Sequence, residues 1–136
     1  MTKEDFEIYL IDIGGLKRVY KEYKGPIVDA GWFQLHEGWY DIVKTIIDEL
    51  LKLGWNKRVS QVKEKFGGLR FYVSQEDIPI GGNEVISKYE KLSRSICEKC
   101  GQSGVLRKGK WIRTLCDEHS EGQEPFDPAQ SLRLFG

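Results

Sequence analysis

Three cysteines and a histidine carry the clearest chemistry in the chain. Cys97 and Cys100 stand in "CEKCG", and Cys116 and His119 in "CDEH", with fifteen residues between the two pairs. Two residues between ligands let one tight turn point both side chains at a single ion, and the second pair closes a tetrahedron. Four protein ligands leave no open position, so the pattern predicts a structural zinc site and not a catalytic one. All three cysteines fall inside it, and an odd count cannot form a full set of internal disulfides. Gly101 suits the turn after the second cysteine. Between the pairs, "GVLRKGKWIRTL" reads as a hairpin with "KGK" at its tip. Residues 97–119 therefore predict a treble-clef or zinc-ribbon-like module whose folding is coupled to the metal.

A second constellation lies in "VSQVKEKFGGLRFYV", residues 59–73. Gln61, Lys63 and Lys65 alternate along one run, and Arg70 and Tyr72 along the next. Gly67 and Gly68 supply the positive φ of a tight turn. Side chains two apart on a strand share a face, roughly 7 Å from one another. If the register puts both rows on one side, that face gathers three cations, an amide and a phenol. Arg70 offers a bidentate fork and the lysines point charges for phosphate oxygens. Tyr72 can stack on a planar base, and the glycines would let backbone N–H groups approach an anion. "KFGGLR" matches neither a Walker loop nor a dinucleotide fingerprint. The competing reading is a solvated sheet face with lysines guarding an edge.

Other residues are weighed against these. Trp32, in "AGWFQLHEGWY", is a candidate to line a pocket and stack on a ligand. Trp39 and Trp55 read as core, and Trp111 as packing on the knuckle. Arg107, Lys108, Lys110 and Arg113 form a second basic cluster, a candidate second wall for an anion. His36 stands outside the metal set, and no Ser or Cys nucleophile with a matching acid accompanies it. The expectation is therefore a protein that binds and does not catalyse.

These residues need elements to hold them. Trp39, Ile42, Val43, Ile46, Ile47, Leu50 and Leu51 recur at the three-and-four spacing of an amphipathic helix over 39–53. Residues 58–65 and 69–74 predict a β-hairpin, with Leu69, Phe71 and Val73 alternating against Arg70, Tyr72 and Ser74. Asn83 is placed to cap a helix running to Ser95, with Val85, Ile86, Tyr89, Leu92 and Ile96 inward. "FEIYLIDI" reads equally as helix or strand, and "LKRVYKEY" (16–23) as a short helix ending at Gly25-Pro26. The fold expected is α+β: a helix-plus-hairpin domain over 1–96, the metal module over 97–119, and a tail over 120–136 that is loose unless docked.

Composition bounds the rest. The 136 residues are 40% apolar and 12% aromatic, enough for a core. Net charge is zero. Yet 57–72 and 104–113 each come to +4: five basic against one acidic, and four against none. Proteins that coat long nucleic acids usually show a broader basic excess. Local patches suit a confined phosphate-bearing small molecule, with a short nucleic-acid contact as the alternative. No apolar run is fit to span a bilayer, and acidic residues precede the first apolar stretch, which is wrong for a secretory signal. A cytoplasmic protein without membrane contact is expected.

Taken together, "GWYDIVKTIIDELLKLGW", "VSQVKEKFGGLRFYV", "ICEKCG" and "WIRTLCDEH" resemble a family of small, largely uncharacterised bacterial and phage proteins, over roughly residues 30–119. The resemblance implies a phage or prophage setting. In such a setting small proteins disable host defence by capturing a signalling nucleotide or by blocking a host protein.

Overall fold

The computed structural model describes residues 1–19, 25–127 and 129. The fold is α+β. Helix α1 spans Lys3–Asp12 and settles the ambiguity of "FEIYLIDI". A capping box starts it: the Asp5 N–H donates to Thr2 Oγ1 (3.1 Å) and the Thr2 N–H to the Asp5 carboxylate (3.0 Å). Its buried face carries Phe6 and Leu10.

The helix expected at 16–23 is a correction. Lys17–Arg18 form strand β1, parallel to β2 at Arg58–Val59. Leu16 is fully buried and bridges Ile27, and the Lys17 and Val19 N–H groups donate to the carbonyls of Lys57 and Val59. Tertiary pairing overrides a local helical pattern here. Residues 20–23 of that expectation lie outside the described residues.

Helix α2, Tyr40–Lys52, is the spine of the core. It buries Tyr40, Ile42, Val43, Ile46, Ile47 and Leu50. Each such aliphatic contributes about 1.5–3 kcal/mol of transfer free energy before conformational entropy is counted. Phe6 stacks on Tyr40 with ring centres 4.5 Å apart and meets Phe33 edge-on at 4.9 Å. Trp39 and Trp55 flank the helix, both buried, as their positions predict. Their indole N–H groups donate to the carbonyls of Ile96 (2.9 Å) and Arg58 (3.1 Å).

The hairpin consists of β3 (Gln61–Lys65) and β4 (Gly68–Tyr72). Helix α3, Gly82–Ser93, lies against β4. Its N-cap is Gly81 in the left-handed conformation, not Asn83. Helix α3 also closes the free edge of β4. The Leu69 N–H donates to Ser93 Oγ (2.9 Å) and the Phe71 N–H to Glu90 Oε2 (2.9 Å). Two side chains thus satisfy backbone donors that a neighbouring strand would otherwise take. On the other edge, Gln34 bridges β3 in parallel: its N–H donates to Val62 O, and the Glu64 N–H to Gln34 O. The stretch "GWFQLHEGWY" is thus an ordered connection holding two 3-10 turns, Ala30–Trp32 and Glu37–Trp39.

The C-terminal sheet has the order β6-β5-β7, with β5 at Val105–Lys108, β6 at Arg113–Leu115 and β7 at Glu124–Pro125. The expected second hairpin is present, with its tip at 109–112. Part of the tail docks, since β7 pairs with β5; residues 128 and 130–136 lie outside the described residues.

Candidate metal centre and cationic hairpin face

Cys97, Cys100, Cys116 and His119 come together as their spacing predicts. Their ligand atoms all lie within 4.8 Å of one another. Cys100 and Cys116 sulfurs are 3.7 Å apart, and His119 Nδ1 is 3.1 Å from Cys116 Sγ and 4.0 Å from Cys97 Sγ. Metal–sulfur bonds of about 2.3 Å set at tetrahedral angles put sulfurs about 3.8 Å apart. The four donors fit a metal ion of that kind. The turn that aims the first pair is closed by the Gly101 N–H on Cys97 O (2.9 Å) and the Cys97 N–H on Gln102 O (2.7 Å). Burial raises the Cys97 thiol, but N–H groups of Cys116, Cys100 and Lys99 directed at its sulfur outweigh that and bring it down to about 7. Cys97 thus favours thiolate, the form that ligates. At Cys100 the Gln102 N–H pulls the thiol down, but burial and the neighbouring Cys97 and Cys116 sulfurs outweigh it and raise the thiol.

The module is docked on the rest of the chain. Gly38 donates its N–H to Glu98 O (2.7 Å), and a Cβ at Gly38 would lie 2.2 Å from Cys97 O, so only glycine fits. His36 N–H donates to Glu98 Oε2 (3.2 Å). Thr114 Oγ1 donates to Gly67 O (2.7 Å), and a Cβ at Gly67 would meet Leu106 Cδ1 at 2.5 Å. The hairpin turn therefore rests directly on the metal module.

That turn corrects one detail. The two turn residues are Phe66 and Gly67, at φ 52° and 79°, and Gly68 is the first residue of β4. Paired positive φ values are those of the tight turn that suits hairpin twist. The Gly67 N–H is taken by Glu64 Oε2 at 2.8 Å, and Gly68 is buried in the ladder opposite Lys65. Neither glycine presents backbone to an anion, contrary to expectation.

The side chains do converge. The register pairs Gln61 with Tyr72, Lys63 with Arg70 and Lys65 with Gly68. Gln61, Lys63, Lys65, Arg70 and Tyr72 therefore share one side, while Val62, Leu69 and Phe71 are buried on the other. Gln34, which the sequence reading missed, joins the same row beside Lys63 and accepts from Gln61 Nε2 at 3.4 Å. Among the described residues, Lys63, Lys65 and Arg70 form no ion pair. Trp32 is placed differently: it is half-buried, edge-on to Phe33 at 5.1 Å. Among the described residues no hydrogen bond or ring contact links Trp32 to the hairpin face.

The second basic cluster is divided: Arg107 is turned inward, while Lys110 and Arg113 line a cleft with Trp111. Arg107 is only 5% exposed and donates to Leu115 O, Gln123 O and Asp117 Oδ1. Arg113 pairs with Glu98 and Glu121. Trp111 is 71% exposed and does not pack on the knuckle as expected. It lines a cleft of about 660 Å³ between the two hairpin tips, with Phe66, Glu64, His36 and Glu98. Burial pushes the Glu98 carboxyl up, against the pull of His36 and Arg113. Clefts of about 440 and 380 Å³ lie elsewhere, and Lys63, Lys65, Arg70 and Tyr72 line none of the three.

No protein-family model, curated protein or solved structure matches the chain. No helix among the described residues is long and apolar enough to cross a membrane.

Proposed function

We propose that the chain is a zinc-stabilised, non-enzymatic binding protein whose β3–β4 face holds a phosphate-bearing ligand. The observation that carries the reading is the cross-strand pairing of Lys63 with Arg70. Like charges directly opposite on a sheet are destabilising. Among the described residues no carboxylate forms an ion pair with either, and Glu90, on the Phe71 N–H, is the one acid whose charge reaches Arg70. A face that keeps such a cost is suited to an external anion. Lys63, Lys65 and Arg70 take phosphate oxygens, Gln61 and Gln34 add hydrogen bonds, and Tyr72, 38% exposed, stacks. Three thiolates and an imidazole at tetrahedral spacing favour zinc as the ion, in a structural role. The likeness to phage proteins supports, by analogy alone, a nucleotide used in host defence signalling as the ligand.

A nucleic-acid strand is the second reading, and the shape of the face favours it. Small ligands usually sit in concave sites; a strand can lie along an open sheet face with bases stacked on aromatics. Salt dependence separates the two. Neutralising several phosphates of a strand gives a slope of log K against log salt of about −0.7 per phosphate, and a mononucleotide a shallower one. The test is a thermal-shift panel of nucleotides, cyclic oligonucleotides and short single strands, against wild type and Lys63→Ala/Arg70→Ala. A ligand at a hundred times its dissociation constant stabilises by about 2.7 kcal/mol. No shift with any of them would leave the module to a protein partner and end the phosphate reading.

A further inference from the structure

Apart from Gln34, the cleft between the hairpin tips is lined by residues that neither the metal centre nor the cationic face uses. Phe66, at the β3–β4 turn, is 59% exposed, and Trp111, at the β5–β6 tip, is 71% exposed. Large aromatics exposed at two turns and lining one cleft of about 660 Å³ are unusual on a protein that could have buried them. That volume falls in the range of small-ligand sites. Each ring already carries one of the chain's own cations: Lys65 Nζ lies 5.7 Å from the Phe66 centroid and Lys110 Nζ 5.5 Å from that of Trp111. Those ammonium groups oppose a cationic guest. A neutral planar ring stacks on the free faces without that penalty.

The polar groups of the cleft narrow the choice. Glu98 is spoken for: its oxygens accept from the His36 N–H and from Arg113. Glu64 is only half committed, with Oε2 on the Gly67 N–H and Oε1 facing no described donor. A half-buried carboxylate oxygen beside two aromatic rings selects a ring with N–H groups on its edge. Guanine offers an adjacent N1–H and amino group; adenine offers an amino group beside an acceptor nitrogen that a carboxylate repels. Gln34 lines the same cleft and touches Gln61 of the cationic row. Gln34 is thus the residue that the cleft and the cationic row share.

We infer that the cleft between Phe66 and Trp111 is a base-binding site selective for guanine, read by Glu64. As the base site, in place of Tyr72, of the ligand whose phosphates lie on β3–β4, it rests on the reading given above. The nucleoside tests it separately, since guanosine has no phosphate.

Guanosine and adenosine, up to millimolar concentration, are titrated by calorimetry into the metal-loaded full chain. Saturable guanosine binding is expected, with adenosine at least about tenfold weaker. Trp111→Ala, an exposed substitution, should abolish it. Glu64→Gln keeps an acceptor for the Gly67 N–H, and should reduce the preference for guanosine. Lys63→Ala/Arg70→Ala should weaken the 5′-monophosphate more than guanosine. No guanosine binding, equal affinity for both nucleosides, or indifference to Trp111→Ala overturns the base site, whatever the phosphate face does. Guanosine and its monophosphate binding equally well would instead leave the base site standing and remove the phosphate face.

Discussion

The two hairpins begin alike and end differently. Each comes from a stretch of net charge +4. In β5–β6 the arginines are used internally: Arg107 is buried with two carbonyls and Asp117 around it, and Arg113 bridges Glu98 and Glu121. In β3–β4, Lys63, Lys65 and Arg70 stand in a row with no described ion pair. Charge density alone is therefore a poor guide to a binding face. What separates a site from a scaffold is whether the protein has already supplied the counter-charge.

The largest expected effect is on the scaffold hairpin. Removing the metal by chelation, or Cys116→Ser, should unfold β5–β6 and release the hairpin turn that rests on it. Metal binding of this kind contributes on the order of 10 kcal/mol to such modules. A melting temperature unchanged by chelation, with no metal in the purified protein, would break the comparison at its root.

The next test sets one arginine against another. Arg107→Ala strands buried carbonyls and should cost about 2–3 kcal/mol in chemical denaturation. Arg70 is half-buried with one hydrogen bond, to Leu69 O, so Arg70→Ala should cost less, no more than about 1 kcal/mol. Equal losses would mean that Arg70 is as structural as Arg107.

Gly67→Ala probes the joint between the hairpins. A side chain there meets both the φ of 79° and Leu106 Cδ1 at 2.5 Å. A loss of about 1–3 kcal/mol is expected, measured by denaturant midpoint. No loss would mean that the turn and the metal module are not in contact.

The smallest effect qualifies the first basic stretch itself. Arg58, counted there, is held by Asp77 at 3.3 Å. Hydrogen bonds from Asn56 and Ser74, with Arg58 behind them, hold the Asp77 carboxyl below its usual value. A depressed carboxylate stabilises above its unfolded pKa, and that contribution fades as pH falls through the folded value. Asp77→Asn should therefore cost about 0.5–1 kcal/mol at neutral pH. The gap to wild type should close below about pH 4. A constant gap across that range would rule out the charge as its source.

Legibility in the sequence followed periodicity and ligand spacing. Helix α2, the alternation of β3 and β4, the buried Trp39 and Trp55, and the four metal-ligand residues all announce themselves locally. Lys17–Arg18 does not, because only its parallel partner at 58–59, forty residues away, makes it a strand. Ser93 and Glu90 carry no signal in the sequence, because their role at the edge of β4 exists only after packing. Arg107 and Arg113 read as part of a candidate wall for an anion because their acceptors come from the knuckle and from residues after it. The cleft between Phe66 and Trp111 was hidden for the same reason, as its walls are separated by more than forty positions. Exposed aromatics at two hairpin tips were the one available signal.

The most direct measurement is a paired titration of a short single-stranded oligonucleotide and a nucleotide panel, followed by thermal shift, with wild type and Lys63→Ala/Arg70→Ala. The free-cation account predicts a ligand-dependent rise in melting temperature for wild type. For the double variant it predicts that the rise is lost while the ligand-free melting temperature is kept. A double variant that retains the full rise would contradict it.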